Sequence, residues 1–104
     1  MRILVVSDTH GDLRSLIKAV DAQRKAEIIV HCGDGEEQQR FLKDNYKDKM
    51  IVAVRGNCDW NSFFPSKEIF KACGKTIFVT HGHLYDAKSG LYRLTSAARE
   101  AGAD

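Results

Sequence analysis

The sequence has little of what several specialised classes of protein require. It contains a single proline, and no repeat, low-complexity segment or linker divides its 104 residues. Its longest apolar stretch is far shorter than the ~20 residues that a membrane-spanning helix needs. The three cysteines are an odd number without Cys-x-x-Cys spacing, which indicates reduced thiols rather than a disulfide framework. We therefore expect one domain, residues 1–104, with no membrane as partner.

The sequence also lacks a large excess of positive or negative charge. Sixteen basic and fourteen acidic residues give a net charge of +2, and without a basic block no nucleic-acid patch is evident. Neither a Gly-x-Gly-x-x-Gly motif nor a Walker loop is present, so nucleotide binding by those routes has no support. The N-terminus enters an apolar strand at once, which leaves no room for a signal peptide. These features predict a cytoplasmic protein.

The apolar residues that are present alternate between strand and helix spacing, as in βαβ units. Short apolar runs typical of buried parallel strands occupy residues 2–7, 27–31 and 50–54. An apolar stripe over residues 13–20 predicts a helix, with Asp12 as its N-cap. A second, more polar helix is predicted over 36–45, with Phe41 and Leu42 as its buried contacts.

A different rhythm follows Pro65. Residues 68–72 and 75–79 flank Cys73-Gly74, a pattern that predicts a β-hairpin. A last helix is predicted from 89 to 100. The fold class is therefore α/β, with a mainly parallel sheet flanked by helices.

Four short polar clusters each come directly after an apolar run. They are Asp8-Thr9-His10-Gly11, Gly33-Asp34-Gly35, Gly56-Asn57-Cys58-Asp59 and His81-Gly82-His83. Ligands of an α/β sheet bind in the loops at the carboxyl ends of its strands. Carboxylates, imidazoles and a carboxamide beside glycines are what a site for divalent metals and phosphate would need.

The chemistry of a two-metal site suggests roles for these side chains. Two metal ions about 3.5–4 Å apart can clamp the attacking and leaving oxygens on phosphorus, and a carboxylate must bridge them. Asp34, on a tight Gly-Asp-Gly turn, suits the bridge, and Asp8 and His10 could face one metal. The further candidates are the carboxamide of Asn57 and the imidazole of His81 or His83. Mixed oxygen and nitrogen ligands without thiolate favour manganese, iron, nickel or zinc over calcium.

Taken in order, these motifs resemble those of the calcineurin-like metallophosphoesterase superfamily, and most closely its small bacterial and archaeal phosphodiesterase branch. The resemblance implies a four-layer α/β/β/α fold. It implies that Asp8 and His10 bind a first metal, that Asp34 bridges, and that Asn57 and His81 bind a second. With manganese as the expected metal and nickel, iron or zinc as alternatives, a metal-bound hydroxide would hydrolyse a phosphate ester, most simply a diester, without a covalent enzyme intermediate.

The sequence departs from the family pattern at two places. Cys58 stands where many relatives have a histidine, so a general acid at that position is not expected. A further Gly-His-x-His motif of the family would lie beyond Asp104, so the chain is expected to be a truncated domain with under-coordinated metals. The residues left as contacts to the ligands or the substrate are Arg55, Cys58, Asp59 and His83.

Two other functions stay open. The small retromer subunit shows that this fold can serve as a catalytically silent interaction module, although the retained ligands count against that function here. A metal-dependent phosphomonoesterase or nucleotidase differs from a diesterase only in its substrate. Among the aromatic residues, Trp60, Phe63 and Phe64 could wall a substrate pocket or pack at the sheet end, whereas His31 is expected to be a packing residue.

The faces of the sheet raise a further expectation. A parallel sheet is normally covered on both faces. The predicted helices over 13–20 and 91–98 would cover only one face. The chain is therefore expected to be a piece of a longer protein or, less simply, to form a homo-oligomer through the uncovered face.

Overall fold

Helices and strands alternate along the first half of the chain. The computed structural model describes residues 1–60, 62–85, 87–88 and 90–104. The first half contains β1 (Ile3–Val6), α1 (Leu13–Ala22), β2 (Ile28–His31), α2 (Glu36–Asn45) and β3 (Met50–Ala53). The second half contains β4 (Lys67–Ala72), β5 (Lys75–Thr80), a 3₁₀ turn (His83–Tyr85) and α3 (Tyr92–Glu100). The predicted α/β class is confirmed; Ser89, the predicted start of the last helix, lies outside the described residues.

The three strands of the first half form a parallel sheet with β2 in its centre. Their register aligns Val6 with His31 and His31 with Ala53, so the three strands end at the same level. The loops that follow them therefore meet at one edge of the sheet, which we call the carboxyl edge.

Helices α1 and α2 cover one face of this sheet. Leu16 and Val20 of α1 and Leu42 of α2 are buried against Ile29 of β2, and the Asp12 side chain caps α1 as predicted, by accepting from the Ser15 amide at 3.1 Å. The prediction for α2 is only partly right. Leu42 is fully buried, but Phe41 is half-buried; the other buried side chains of α2 are Gln38 and Gln39.

The hairpin β4–β5 packs on the other face. Its antiparallel register pairs Ala72 with Lys75, which leaves Cys73 and Gly74 as a two-residue turn. Both turn residues have positive φ, +51° and +77°, as a type I′ turn requires. Ala72 and Val79 of the hairpin join the buried side chains of β2 and β3 in the second core cluster.

The expectation that this face stays uncovered needs correction. The hairpin covers the part of the face on β2 and β3, whereas an apolar groove of about 810 Å³ remains beside β1, where Val5 is 61% exposed. Helix α3 lines this groove with Leu94 and Ala98 instead of joining α1 on the opposite face. The end of the chain after α3 is bound to β5: the Asp104 amide donates to the Thr76 carbonyl, and the Asp104 carboxylate accepts from the Thr76 amide.

No helix in the described part of the chain is long and apolar enough to cross a membrane.

Candidate metal centre

Backbone hydrogen bonds join the loops at the carboxyl edge. The Asp8 amide donates to the Gly33 carbonyl at 2.8 Å, and the His10 amide donates to the Asp34 carbonyl at 3.1 Å. The loop after β1 is thus tied to the loop after β2 at two points, which brings the side chains of Asp8, His10 and Asp34 to one place.

Two carboxylates and two imidazoles converge there. The His81 Nε2 atom lies 3.2 Å from Asp34 Oδ2 and 3.4 Å from Asp8 Oδ1. The His10 Nε2 atom lies 3.6 Å from Asp8 Oδ1 and 3.8 Å from Asp34 Oδ2. The ligand atoms of Asp8, Asp34 and His81 all lie within 4.8 Å of one another, a spacing that one metal ion can span. We call these four residues the metal centre.

Three of the four adopt an unusual backbone conformation. Asp8, His10 and Asp34 have φ angles of +54°, +42° and +61°, in the left-handed region that residues other than glycine seldom occupy. Aspartate tolerates this region better than most residues, yet such conformations persist only where the surrounding structure holds them. Their concentration at one edge of the sheet is the kind of local strain that accompanies functional sites.

The loop that carries Asp34 is held by the carboxylate of Asp59. Asp59 Oδ2 accepts from the amides of Asp34 and Gly56, each at 2.8 Å. Asp59 Oδ1 accepts from the amides of Gly35 and Glu36 at 3.1 and 3.2 Å. Those last two amides open α2, whose N-cap Gly35 provides no side-chain cap of its own. Asp59 therefore caps a helix from a different loop and fixes the backbone of Asp34.

The orientation of the Asp34 side chain is also determined. The Cys58 amide donates to Asp34 Oδ1 at 2.8 Å, so that Oδ2 is the oxygen that faces both imidazoles. Gly56 lies directly against this carboxylate, and a Cβ at that position would overlap Asp34 Oδ1. Asp34 is only 4% exposed.

Behind the metal centre lies a buried polar network centred on His31. His31 Nδ1 accepts from the Gly33 amide at 3.2 Å, so that its proton resides on Nε2, 3.0 Å from Thr9 Oγ1. Gln39 Nε2 donates to the same Nδ1 at 2.9 Å and to the Val54 carbonyl at 2.7 Å. Burial lowers the pKa of His31, with the attraction of Asp59 opposing it, which agrees with this neutral tautomer.

The network continues to the loop of Asp8 and His10. The Thr9 hydroxyl donates to Gln38 Oε1, which also accepts from the Gly11 amide, each at 3.1 Å. The predicted packing role of His31 thus includes holding two loops of the metal centre. Gln38 and Gln39 were not among the predicted site residues, although their spacing of four and three residues from Leu42 marks them as facing the sheet.

The remaining predicted site residues lie around the metal centre. Asn57 is exposed and lines a cavity of about 250 Å³ together with His81, His83 and Lys88. His83 is half-buried, and desolvation, followed by repulsion from His81, lowers its pKa. Among the described residues, Arg55 forms no ion pair with Asp59. The Asp59 carboxylate instead accepts from four backbone amides.

The electrostatics of the metal centre suit a cation. Desolvation raises the pKa of Asp8, but hydrogen bonds from Ser7 and His81 and the attraction of His81 outweigh it, so that the pKa lies below its usual value. Among the described residues, no lysine or arginine pairs with Asp8 or Asp34. Two neighbouring carboxylates, one of them buried, therefore have only imidazoles beside them, and a bound divalent ion would supply the missing positive charge.

Comparison with known proteins finds relatives of this chain. The model of the calcineurin-like phosphoesterase superfamily domain matches residues 1–104. The probable metallophosphoesterase YsnB of Bacillus subtilis is 34% identical over 108 residues, which cover 100% of this chain and 60% of that protein. Phosphodiesterase MJ0936 of Methanocaldococcus jannaschii is 27% identical over 113 residues, which cover 88% of this chain and 68% of that protein. The chain thus spans about 60% of the length of the first of these relatives.

Solved structures show the same fold. A conserved uncharacterized protein of Streptococcus pneumoniae, described as a predicted phosphoesterase, matches with a TM-score of 0.80 and 29% identity over 97% of this chain and 56% of its own. Vacuolar protein sorting 29 of Cryptosporidium parvum matches with a TM-score of 0.76 over 98% of this chain and 60% of its own; at 17% identity, this likeness concerns the fold alone. From the match over its whole length, this chain belongs to the calcineurin-like phosphoesterase superfamily.

Proposed function

We propose that the protein is a metal-dependent phosphodiesterase that acts at a binuclear centre. The observation that carries this proposal is the convergence of Asp8, His10, Asp34 and His81, with Nε2-to-oxygen distances of 3.2–3.8 Å. The family and the relative called a phosphodiesterase support an ester of phosphate as the substrate.

The residues would divide the binding of two divalent ions. Asp8 and His10 would hold one ion, and Asn57 and His81 the other. Asp34 would contribute its carboxylate to both, and its Oδ2 faces both imidazoles. The expected metal is manganese, with nickel, iron or zinc as alternatives, because the donor set lacks thiolate. Such ions would polarise the phosphate and activate water for attack on phosphorus.

The chain's own residues favour direct hydrolysis. Desolvation, followed by the neighbouring charge of Asp34, raises the pKa of the Cys58 thiol. Cys58 is therefore a neutral thiol at neutral pH, whereas a cysteine nucleophile needs the thiolate. This argues against Cys58 as the nucleophile and is consistent with attack by water, without a covalent intermediate.

The free cysteines bear on where in the cell the protein is located. We propose a cytoplasmic location, because Cys32, Cys58 and Cys73 are all free in the structure.

The test is elemental analysis of the purified protein together with hydrolysis of bis(p-nitrophenyl) phosphate and p-nitrophenyl phosphate. Asp34→Asn should lose at least one metal ion and reduce diester hydrolysis by several orders of magnitude, because the negative charge that offsets the repulsion between two cations is removed. Asp21→Asn, the same change at an exposed position of α1, should alter neither. A monoester preference would make the protein a phosphomonoesterase. Full metal content with no hydrolysis of either ester would favour a silent interaction module.

A further inference from the structure

A second cavity opens beside the metal centre, and one wall of it is a tryptophan. This cavity, of about 320 Å³, shares His10 and Asp34 with the metal centre. The side chains that line the rest of this cavity include Cys58, Trp60, Glu36 and Glu37. A group attached to a phosphate at the metal centre can therefore extend directly into this cavity, which we call the tryptophan cavity.

The indole of Trp60 is unusually open to solvent. It is 89% exposed, although tryptophan is on average among the more buried residues. The two phenylalanines that follow it in the chain rest on cations of α2, Phe63 on the Arg40 guanidinium at 5.9 Å and Phe64 on the Lys43 ammonium at 5.1 Å. Among the described residues, no cation or ring covers Trp60 in this way, so its face is free for a ligand.

The charges of the tryptophan cavity exclude a second phosphate. Glu37 is exposed and has no ion pair among the described residues, whereas Glu36 is paired with Arg40 at 2.6 Å. The amides that open α2 would otherwise attract an anion, but Asp59 already occupies those of Gly35 and Glu36. A group without negative charge is therefore favoured here over an anionic one.

We propose that Trp60 is a substrate-binding residue that stacks on an uncharged aromatic group of the diester, such as an aryl or nucleoside group. This proposal rests on the proposed function, because the metal centre places the phosphate. Stacking on an indole face accepts any aromatic ring, so Trp60 would favour aromatic over aliphatic esters without selecting a particular base.

Competitive inhibition tests the preference. Diphenyl phosphate and diethyl phosphate carry the same charge and differ in their rings. We expect diphenyl phosphate to inhibit hydrolysis of bis(p-nitrophenyl) phosphate about tenfold more tightly than diethyl phosphate does. Trp60→Leu should abolish this preference and raise the KM for bis(p-nitrophenyl) phosphate about tenfold with little change in kcat. Trp60→Phe, which keeps an aromatic ring, should retain most of the preference. Phe63→Leu, at a residue equally exposed but outside the cavity, should change none of these values.

A second readout does not depend on activity. Trp60 is the only tryptophan of the chain, so the intrinsic fluorescence reports on this position. We expect saturable quenching by diphenyl phosphate and none by diethyl phosphate in the metal-loaded full chain.

Three results would overturn the proposal: equal inhibition by the two diesters, an unchanged preference in Trp60→Leu with its metal content intact, or no saturable quenching. If the wild-type chain hydrolyses no ester, the proposed function fails, and the fluorescence titration alone then decides whether aromatic phosphates bind at Trp60.

Discussion

The carboxyl edge and the groove beside β1 are built in opposite ways. At the carboxyl edge, backbone and side-chain hydrogen bonds tie the loops to one another, and three residues with positive φ lie within this set of bonds. In the groove, apolar side chains of β1, β5 and α3 face an open space of about 810 Å³. Directional hydrogen bonds thus fix the site locally, whereas the shape of the groove depends only on which apolar surfaces the chain leaves apart.

The largest effect is expected from Asp59, which holds four amides of the carboxyl edge. Asp59→Asn keeps the size of the side chain but replaces one accepting oxygen by a donor, which leaves two buried amides without an acceptor. We expect a loss of about 3 kcal/mol in the free energy of unfolding, and weaker metal binding, because the Asp34 loop is released. Chemical denaturation in the presence of a chelator measures the first effect, and metal titration the second.

The matched control is Asp12→Asn, the same change at the exposed N-cap of α1. Asparagine and aspartate cap helices about equally well, so this variant should unfold at nearly the same denaturant concentration as the wild type. If both variants lost the same small free energy of unfolding, the stability of the carboxyl edge would not depend on Asp59. Its hydrogen bonds would then not distinguish this edge from the rest of the molecule.

The two regions also differ in how far the sequence predicts them. The helices and strands follow from apolar periodicity, and the convergence of Asp8, His10 and Asp34 follows from their positions after parallel strands. The clamp made by Asp59 was not predictable in this way, because three of its four amide partners lie 23 to 25 residues earlier in the chain. The position of α3 beside β5 was not predictable either, because its contacts, such as the bond between Asp104 and Thr76, join residues 28 apart that no local pattern relates.

A smaller, pH-dependent effect is expected from His31. Its pKa in the folded chain lies below the ordinary value of 6.5, so at mildly acidic pH the unfolded chain binds more protons than the folded chain does. The stabilisation from a neutral His31 is therefore complete above pH 6.5. It declines as the pH falls below 6.5 and is lost at the folded-state pKa.

Two measurements on the metal-free protein check this. Titration of the imidazole signals by NMR should place His31 below 6.5, and the free energy of unfolding should fall as the pH is lowered from 7 towards that value. A His31 that titrates at or above 6.5 would contradict the tautomer inferred from the Gly33 and Gln39 contacts, and with it the buried network behind the carboxyl edge.

The smallest effect is expected in the groove, and it tests whether the groove is open in solution. Val5 and Val30 are paired in the register of β1 and β2 and line the same groove, but Val5 is 61% exposed and Val30 only 3%. Val5→Thr should therefore change the free energy of unfolding by no more than about 0.5 kcal/mol. Val30→Thr should cost about 1–3 kcal/mol, because its hydroxyl is buried without a partner. Chemical denaturation at two protein concentrations, with light scattering, makes the comparison. If Val5→Thr cost as much as Val30→Thr and its cost grew with protein concentration, a second copy would cover the groove, and this region would be an interface between subunits.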